Sequence, residues 1–393
     1  MSVPDRSSLM MVGCPAEPSL RVNLANWQDP PWNRWSFFHV REVLPTALVR
    51  ADESIAEPLR HDPTYDVGAI ELRQSGGASL TLDQQFAASF TDGVAVLRDG
   101  ALVYERYFDG MRSDSLHLSM SVIKSITGLV IGAMTARGLI DPGRPVTDYL
   151  PELQHSGFSG ATVQQLLNMT AATGYWDDGP ESELVKLDIA SGWRPPTADQ
   201  AAVGVLEFAS EVGPGRSPHG ESFRYASLNT DLVAIAAERA GQARFAELLS
   251  ELLWKPLGAA SDAEIALDPA GSSIASGGFS ATLQDYARLG QLVLESGVVE
   301  GRTVVPESWL ARSQQPAGVP AATATGVQAT YSNYWWRVAE RMCGLGIHGQ
   351  VLAIDRAARV VIVILSSWPM PESDSYRRDQ WNVIDAIVAE LRN

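Results

Sequence analysis

The sequence predicts an α+β fold: an antiparallel sheet built from both ends of the chain, flanked by helices, with an inserted, mostly helical lobe. Three observations carry this. The β-prone runs Val94-Ala95-Val96-Leu97 and Leu102-Val103-Tyr104 flank Asp99-Gly100, a pair suited to a two-residue hairpin turn. A second hairpin is expected over 351–367, where Leu352-Ala353-Ile354 and Val360-Val361-Ile362-Val363-Ile364-Leu365 flank a turn near 355–359. Between the hairpins the apolar spacing is helical. Strands at both ends with helices between them fit a segregated layout, not the strand–helix alternation of a doubly wound sheet.

In chain order, residues 1–60 are rich in Pro, Trp and Arg without periodicity and read as an irregular arm wrapping the body. Residues 61–165 and 275–393 are expected to form the sheet domain, and 166–274 the helical domain. Helices are predicted over 122–139, 163–169, 203–210, 228–240, 245–253 and 282–292, with Gly/Pro-rich loops such as Gly213-Pro214-Gly215 between them. The last segment, 376–391, places Val383, Ile384, Ile387, Val388 and Leu391 on one helical face. No internal repeat is visible.

Composition narrows the function classes. The chain has 393 residues and a formal net charge of −16, which argues against nucleic acid or an anionic membrane as partner. That balance suits a small substrate that is neutral or cationic at one end. The two cysteines, Cys14 and Cys343, make no disulfide framework, and no CxxC pair is present. His39, His61, His117, His155, His219 and His348 show no metal-ligand spacing, so neither metal nor cofactor is expected. Residues 1–20 lack a basic stretch followed by an apolar core, so no secretory signal is read and the expected compartment is the cytoplasm. The most apolar window, 122–139, is broken by Lys124, Gly128, Gly132 and Arg137 and reads as a buried helix, not a membrane span.

That helix opens with Ser121-Val122-Ile123-Lys124. A spacing of three stacks the hydroxyl and the amine on one helical face. A serine hydroxyl becomes a useful nucleophile when a neighbouring base takes its proton, and only three lysines occur in the chain. Burial of the helix would penalise the charged ammonium and favour a proton-accepting amine. The blander reading is that Ser121 caps the helix and Lys124 snorkels to solvent. Three further segments favour chemistry. Phe223-Arg224-Tyr225-Ala226-Ser227 precedes an apolar helix and places a phenol two residues before a hydroxyl. Gly346-Ile347-His348-Gly349-Gln350 precedes a strand, and Gly349 would let a ligand approach the backbone. Ser276-Gly277-Gly278-Phe279 precedes another predicted helix.

In their order and separations, Ser121-x-x-Lys124, Tyr225-x-Ser227 and His348-Gly349 resemble the penicillin-recognising serine hydrolases: β-lactamases, DD-peptidases and related carboxylesterases. Leu166-Leu167-Asn168-Met169, Trp254-Lys255-Pro256-Leu257-Gly258 and Ser276-Gly277-Gly278 match accessory patterns of the same family. The resemblance covers most of the chain beyond about residue 85 and implies a serine β-lactamase-like fold. It narrows to the nylon-oligomer branch, which cleaves linear 6-aminohexanoate dimers and carries carboxylesterase activity. The residues that match it are Trp27-Gln28-Asp29-Pro30-Pro31-Trp32-Asn33-Arg34-Trp35, Ser191-Gly192-Trp193-Arg194, Ser227-x-Asn229-Thr230-Asp231, Trp335-Trp336 and Ser366-Ser367-Trp368-Pro369. Carried over by position, Ser121 would be the nucleophile, with Lys124 and Tyr225 its proton-transfer partners. The backbone amides of Ser121 and Ile347 would form the oxyanion hole. Trp193 and Trp336 would line the acyl cleft, and Asp188 would face a substrate ammonium. Ser227, Ser276, His348 and Gly349 would complete the substrate-binding set. A homodimer is compatible with this resemblance.

The sequence departs from that branch in three places. The loop after Tyr175 (Trp176-Asp177-Asp178-Gly179-Pro180) is shorter, and no second tyrosine is found to help an amide leaving group. Ser276 stands where one well-adapted form has asparagine. These features favour ester over amide cleavage. His348-Gly349 replaces the family's Lys-Thr-Gly, which weakens penicillin-type carboxylate recognition. A D-amino-acid peptidase or β-lactamase on the same fold stays open, with Glu181 and Glu183 as positional candidates for a deacylating glutamate. So does a catalytically inert binding protein. A Ser-His-Asp hydrolase finds no Gly-x-Ser-x-Gly elbow.

Overall fold

The structure is a computed structural model that describes residues 10–52, 54–55, 57–73, 79–177, 183–322 and 328–392. Its main sheet has nine strands. From one edge they run Ala321–Ala322, Gln328–Ser332, Trp335–Val338, Arg341–Gly346, Gln350–Asp355, Val360–Ser366, Thr91–Arg98, Ala101–Tyr107 and Arg60–His61. Both expected hairpins form. Asp99 (φ 49°) and Gly100 (φ 75°) make the first turn with the positive φ that such turns require. The hairpins meet along Val360–Ser366 and Thr91–Arg98, antiparallel from Val360 opposite Arg98 to Ser366 opposite Thr91. Every residue of Val360–Ser366 is buried, which is why this strand is continuously apolar instead of alternating.

The sheet is antiparallel as expected except at one edge. Arg60–His61 runs parallel to Ala101–Leu102 at one edge. At the other, residues 328–346 add three antiparallel strands that were not anticipated. A second, four-stranded sheet orders Thr46–Val49, Ala263–Ala266, Phe279–Ala281 and His117–Leu118. It bears directly on the site. The chain leaving His117–Leu118 enters Ser121, and the Ser119 amide donates to the Phe279 carbonyl at 2.9 Å, bringing the Ser276 turn beside Ser121.

Helices form over Val163–Leu167, Val205–Glu211, Ser227–Gly241, Phe245–Leu249, Leu283–Leu294 and Asp374–Leu391, close to the predicted spans. Others were not predicted, among them Leu82–Ala88, Leu184–Ala190 and Glu307–Ser313. Leu82–Ala88 starts with a capping box, Thr81 accepting from the Gln84 amide while the Gln84 side chain accepts from the Thr81 amide. The apolar window becomes the buried helix Val122–Ala136, which packs on Ser227–Gly241 and the strand Arg341–Gly346. Its Gly128 permits close approach: a Cβ there would lie 2.4 Å from the Asn333 carbonyl oxygen. Ser125 fixes the same contact by donating to the Tyr334 carbonyl at 2.8 Å. The N-terminal arm packs its own apolar cluster, with Trp27, Phe37 and Val40 against Leu118, Met120 and Trp193. No described helix is long and apolar enough to cross a membrane.

Candidate active site

Ser121 stands at the N-terminal end of Val122–Ala136 and makes no side-chain cap, so its hydroxyl is not spent on the helix. Met120 before it holds φ at 47°, a left-handed conformation that turns the chain sharply into the helix. Lys124 does not snorkel: it is 1% exposed. Its Nζ lies 2.8 Å from Ser121 Oγ, 3.0 Å from Ser227 Oγ and 2.6 Å from the Ser276 carbonyl oxygen. The hydroxyl and amine that the sequence spacing stacks on one helical face are thus within bonding distance, with two further oxygens holding the amine.

Tyr225 faces the same amine, whose Nζ is 5.0 Å from the phenol ring centre. Its ring stacks on Trp336 with centroids 5.8 Å apart and planes at 16°. Trp336 in turn meets Tyr331 edge-on at 4.6 Å, and this aromatic wall fixes where the phenol can point. Two residues on, Ser227 opens the helix Ser227–Gly241. Both oxygens of Asp177 receive its amide, at 2.9 and 3.0 Å, and Oδ2 receives its hydroxyl at 2.6 Å. One turn further along, Asp231 Oδ1 accepts the Ser276 amide at 2.8 Å, while its Oδ2 has no hydrogen-bond partner among the described residues. Burial raises the Asp231 carboxyl well above the ordinary range, and a positive charge on Lys124 acts the other way.

These groups open on a cavity of about 310 Å³, small among ligand clefts of ~300–1,000 Å³. Ser121, Tyr225, Ser227, Ser276, Trp336 and Ile347 all reach its wall, as do Asp188 and Trp193. Ile347 begins the short 3₁₀ turn Ile347–Gly349 as Ser121 begins its helix, and amides at such starts lack an intrahelical acceptor. Asp188 is already paired: Arg194 Nε lies 3.0 Å from its Oδ2. Burial pushes its carboxyl up to about 6 against the lowering effect of Arg194. Trp193 is held from behind by Trp27, at 4.9 Å between rings, with the Trp27 indole N–H donating to the Trp193 carbonyl at 2.9 Å.

Two expected substrate contacts are not at the wall. His348 is 2% exposed; its Nδ1 bonds the Trp368 carbonyl at 2.8 Å and its ring meets Phe37 edge-on. Burial lowers its imidazole to about 4, so it is neutral at ordinary pH. Gly349 (φ 91°) makes room for Trp368 and not for a ligand, since a Cβ there would lie 2.4 Å from the indole. Both residues shape the turn that presents Ile347. Of the two glutamates considered for deacylation, Glu183 pairs with Lys186 at 2.7 Å and Glu181 lies outside the described residues, as do 178–180 of the loop after Tyr175. Asp177 and Asp231 were given no role from the sequence. Asp231 carried a signal, being four residues after Ser227 and so on the same helical face. Asp177 carried none, because it meets Ser227 from a loop 50 residues earlier. Among the described residues no cluster of His, Cys, Asp and Glu could hold a metal ion.

Comparison with known proteins agrees with this geometry. Residues 82–386 match the Beta-lactamase family model. The chain is 37% identical over 360 residues to a 6-aminohexanoate-dimer hydrolase of Paenarthrobacter ureafaciens, covering 89% of each. It is 29% identical over 233 residues to esterase EstB of Burkholderia gladioli, covering 54% of this chain and 53% of that one. Among solved structures, a Bacillus anthracis protein provisionally named 6-aminohexanoate-dimer hydrolase superposes with a TM-score of 0.86 at 28% identity, over 94% of this chain and 97% of the other. A family VIII carboxylesterase shares the fold at a TM-score of 0.59 and 18% identity, over 77% of this chain and 94% of the other. With its Ser-x-x-Lys helix and its matched span, the chain belongs to the beta-lactamase family of serine hydrolases.

Proposed function

We propose that the protein cleaves short-acyl carboxylic esters, and the amide bond of linear ω-aminoalkanoate dimers such as the 6-aminohexanoate dimer, through an acyl-enzyme on Ser121. The observation that carries this reading is the 2.8 Å contact between Lys124 Nζ and Ser121 Oγ at the wall of a cavity. Ser121 Oγ attacks the substrate carbonyl carbon as its proton passes to the Lys124–Tyr225 pair. The developing oxyanion is received by the amides of Ser121 and Ile347, each donor contributing about 3 kcal/mol. The positive end of the Val122–Ala136 helix acts in the same direction. Collapse of the tetrahedral centre breaks the C–O or C–N bond, the leaving atom takes the proton, and water then hydrolyses the acyl-serine. The names of the Paenarthrobacter and Burkholderia relatives support both substrate types. The cavity wall is mostly apolar, which suits an alkyl chain between two polar ends.

The test is hydrolysis of p-nitrophenyl acetate and of the 6-aminohexanoate dimer by the parent enzyme and Ser121→Ala. Loss of the nucleophile should lower kcat by at least ~1,000-fold. A Ser121→Ala enzyme with undiminished ester turnover overturns the mechanism. Cephalosporin turnover faster than ester turnover overturns the substrate assignment.

A further inference from the structure

We propose that Asp177 is a positioning residue for acylation: acting through the Ser227 hydroxyl, it holds the Lys124 amine with its lone pair toward Ser121. The proposal rests on Ser121 being the nucleophile and on neutral Lys124 being the member of the Lys124–Tyr225 pair that accepts its proton, and follows from counting hydrogens. A carbonyl oxygen only accepts, so the Ser276 carbonyl takes one N–H of Lys124, at 2.6 Å. Ser227 has a single hydroxyl proton, and this goes to the acceptor-only carboxylate of Asp177, 2.6 Å away. Ser227 Oγ must then meet Lys124 Nζ, at 3.0 Å, as an acceptor, and takes a second N–H. A neutral amine has two hydrogens and one lone pair. With both hydrogens engaged by these two oxygens, Ser121 Oγ, 2.8 Å from the same nitrogen, meets it on its lone pair. Without Asp177, the Ser227 hydroxyl is free to rotate and donate to the amine, drawing the lone pair away from Ser121.

Asp177 is itself fixed. The Tyr175 phenol donates to its Oδ1 at 2.7 Å, and the Ser227 amide reaches both oxygens. Burial holds the Tyr175 phenol well above its usual range, so it stays a donor. In the acylation step the Ser121 proton moves to the amine, which becomes an ammonium, while Oγ bonds the carbonyl carbon and the carbonyl π pair becomes the oxyanion. The ammonium gives up that proton when the leaving group departs. Asp177 reaches the cavity wall, but its effect on Ser121 Oγ runs through the Ser227 hydroxyl and the amine.

The experiment is a double-mutant cycle read by the pre-steady-state acylation burst with p-nitrophenyl acetate. Asp177→Ala should slow acylation about 10- to 100-fold with little change in KM, and Ser227→Ala should cost a similar factor. In the Ser227→Ala background, Asp177→Ala should then change the rate less than about twofold. That background keeps the backbone amide of residue 227 and the Tyr175 phenol, so a purely structural role for Asp177 would persist in it. Equal losses in both backgrounds overturn the proposal, as does a parent-like rate in either single variant. Should Asp177→Ala fail to fold, Asp177→Asn preserves the volume and is read by the same cycle. A dead Ser121→Ala enzyme beside a full-rate Asp177→Ala enzyme sinks this inference alone. An active Ser121→Ala enzyme sinks the nucleophile assignment beneath it.

Discussion

Lys124 is held by oxygens from three separate segments, and its neighbours explain why these residue types sit where they do. Ser227 and Asp231 project from successive turns of one helix. Asp231 grips the Ser276 amide while the Ser276 carbonyl grips the lysine. Substrate selection belongs at the same scale. We propose that Asp188, at the cavity wall, receives a substrate ammonium in competition with Arg194. Asp188→Asn is therefore expected to raise KM for ω-amino acyl substrates by several-fold up to ~10-fold, while leaving neutral p-nitrophenyl esters within about twofold. Parallel KM measurements on the two substrate types check this, and an equal change in both would refute it. What was legible in the sequence at this scale follows contact range. Ser121 with Lys124, and Tyr225 with Ser227, are local pairs whose spacing survives in one dimension. Asp177 reaches Ser227 from a distant loop, so no spacing announces it. Gly349 was read as making room for a ligand. Local pattern cannot distinguish that from room for an indole arriving with Trp368.

The turn Ile347–Gly349 is the element on which the proposed oxyanion site depends. His348 sits in it at φ 59°, its amide donating to the Pro371 carbonyl at 2.7 Å and its Nδ1 bonded to the Trp368 carbonyl. Its lowered imidazole pKa ties this turn to pH. Above the unfolded value of 6.5 the ring is neutral in both states, and the contribution to stability is complete. As pH falls from 6.5 toward about 4, the unfolded chain takes up a proton that the folded ring refuses, and stability is lost. The loss is at most roughly 3 kcal/mol. Asparagine tolerates positive φ and can place a donor near the Nδ1 position. His348→Asn should thus flatten the fall of stability between pH 6.5 and 4 relative to the parent, as read by urea denaturation at several pH values. An unchanged slope would refute the assignment. Hairpins were the elements most readable in advance, because Asp99-Gly100 encodes its own turn. The strands over 328–346 were not, since they are short strands whose pairing depends on neighbours and not on a strong run of their own.

For the molecule as a whole, the arm is part of the site. Gln28 reaches the cavity wall, and Trp27, 1% exposed, supports Trp193 from behind. Trp27→Ala should cost about 3–5 kcal/mol of stability and raise KM more than it lowers kcat. Denaturant unfolding and steady-state kinetics together check this, and a folded variant with parent KM would mean that the arm does not shape the cavity. Nothing in the composition of residues 1–60 foretold this contact, which is made only when Trp193, 166 residues later, arrives against it. The meeting of Thr91–Arg98 with Val360–Ser366 has a consequence for biosynthesis. The first hairpin emerges from the ribosome with one long edge open and waits for more than 250 residues of chain before its neighbour exists. Until then that edge is a sticky template, and the final strand acts as the clasp that ends the chain's exposure to aggregation.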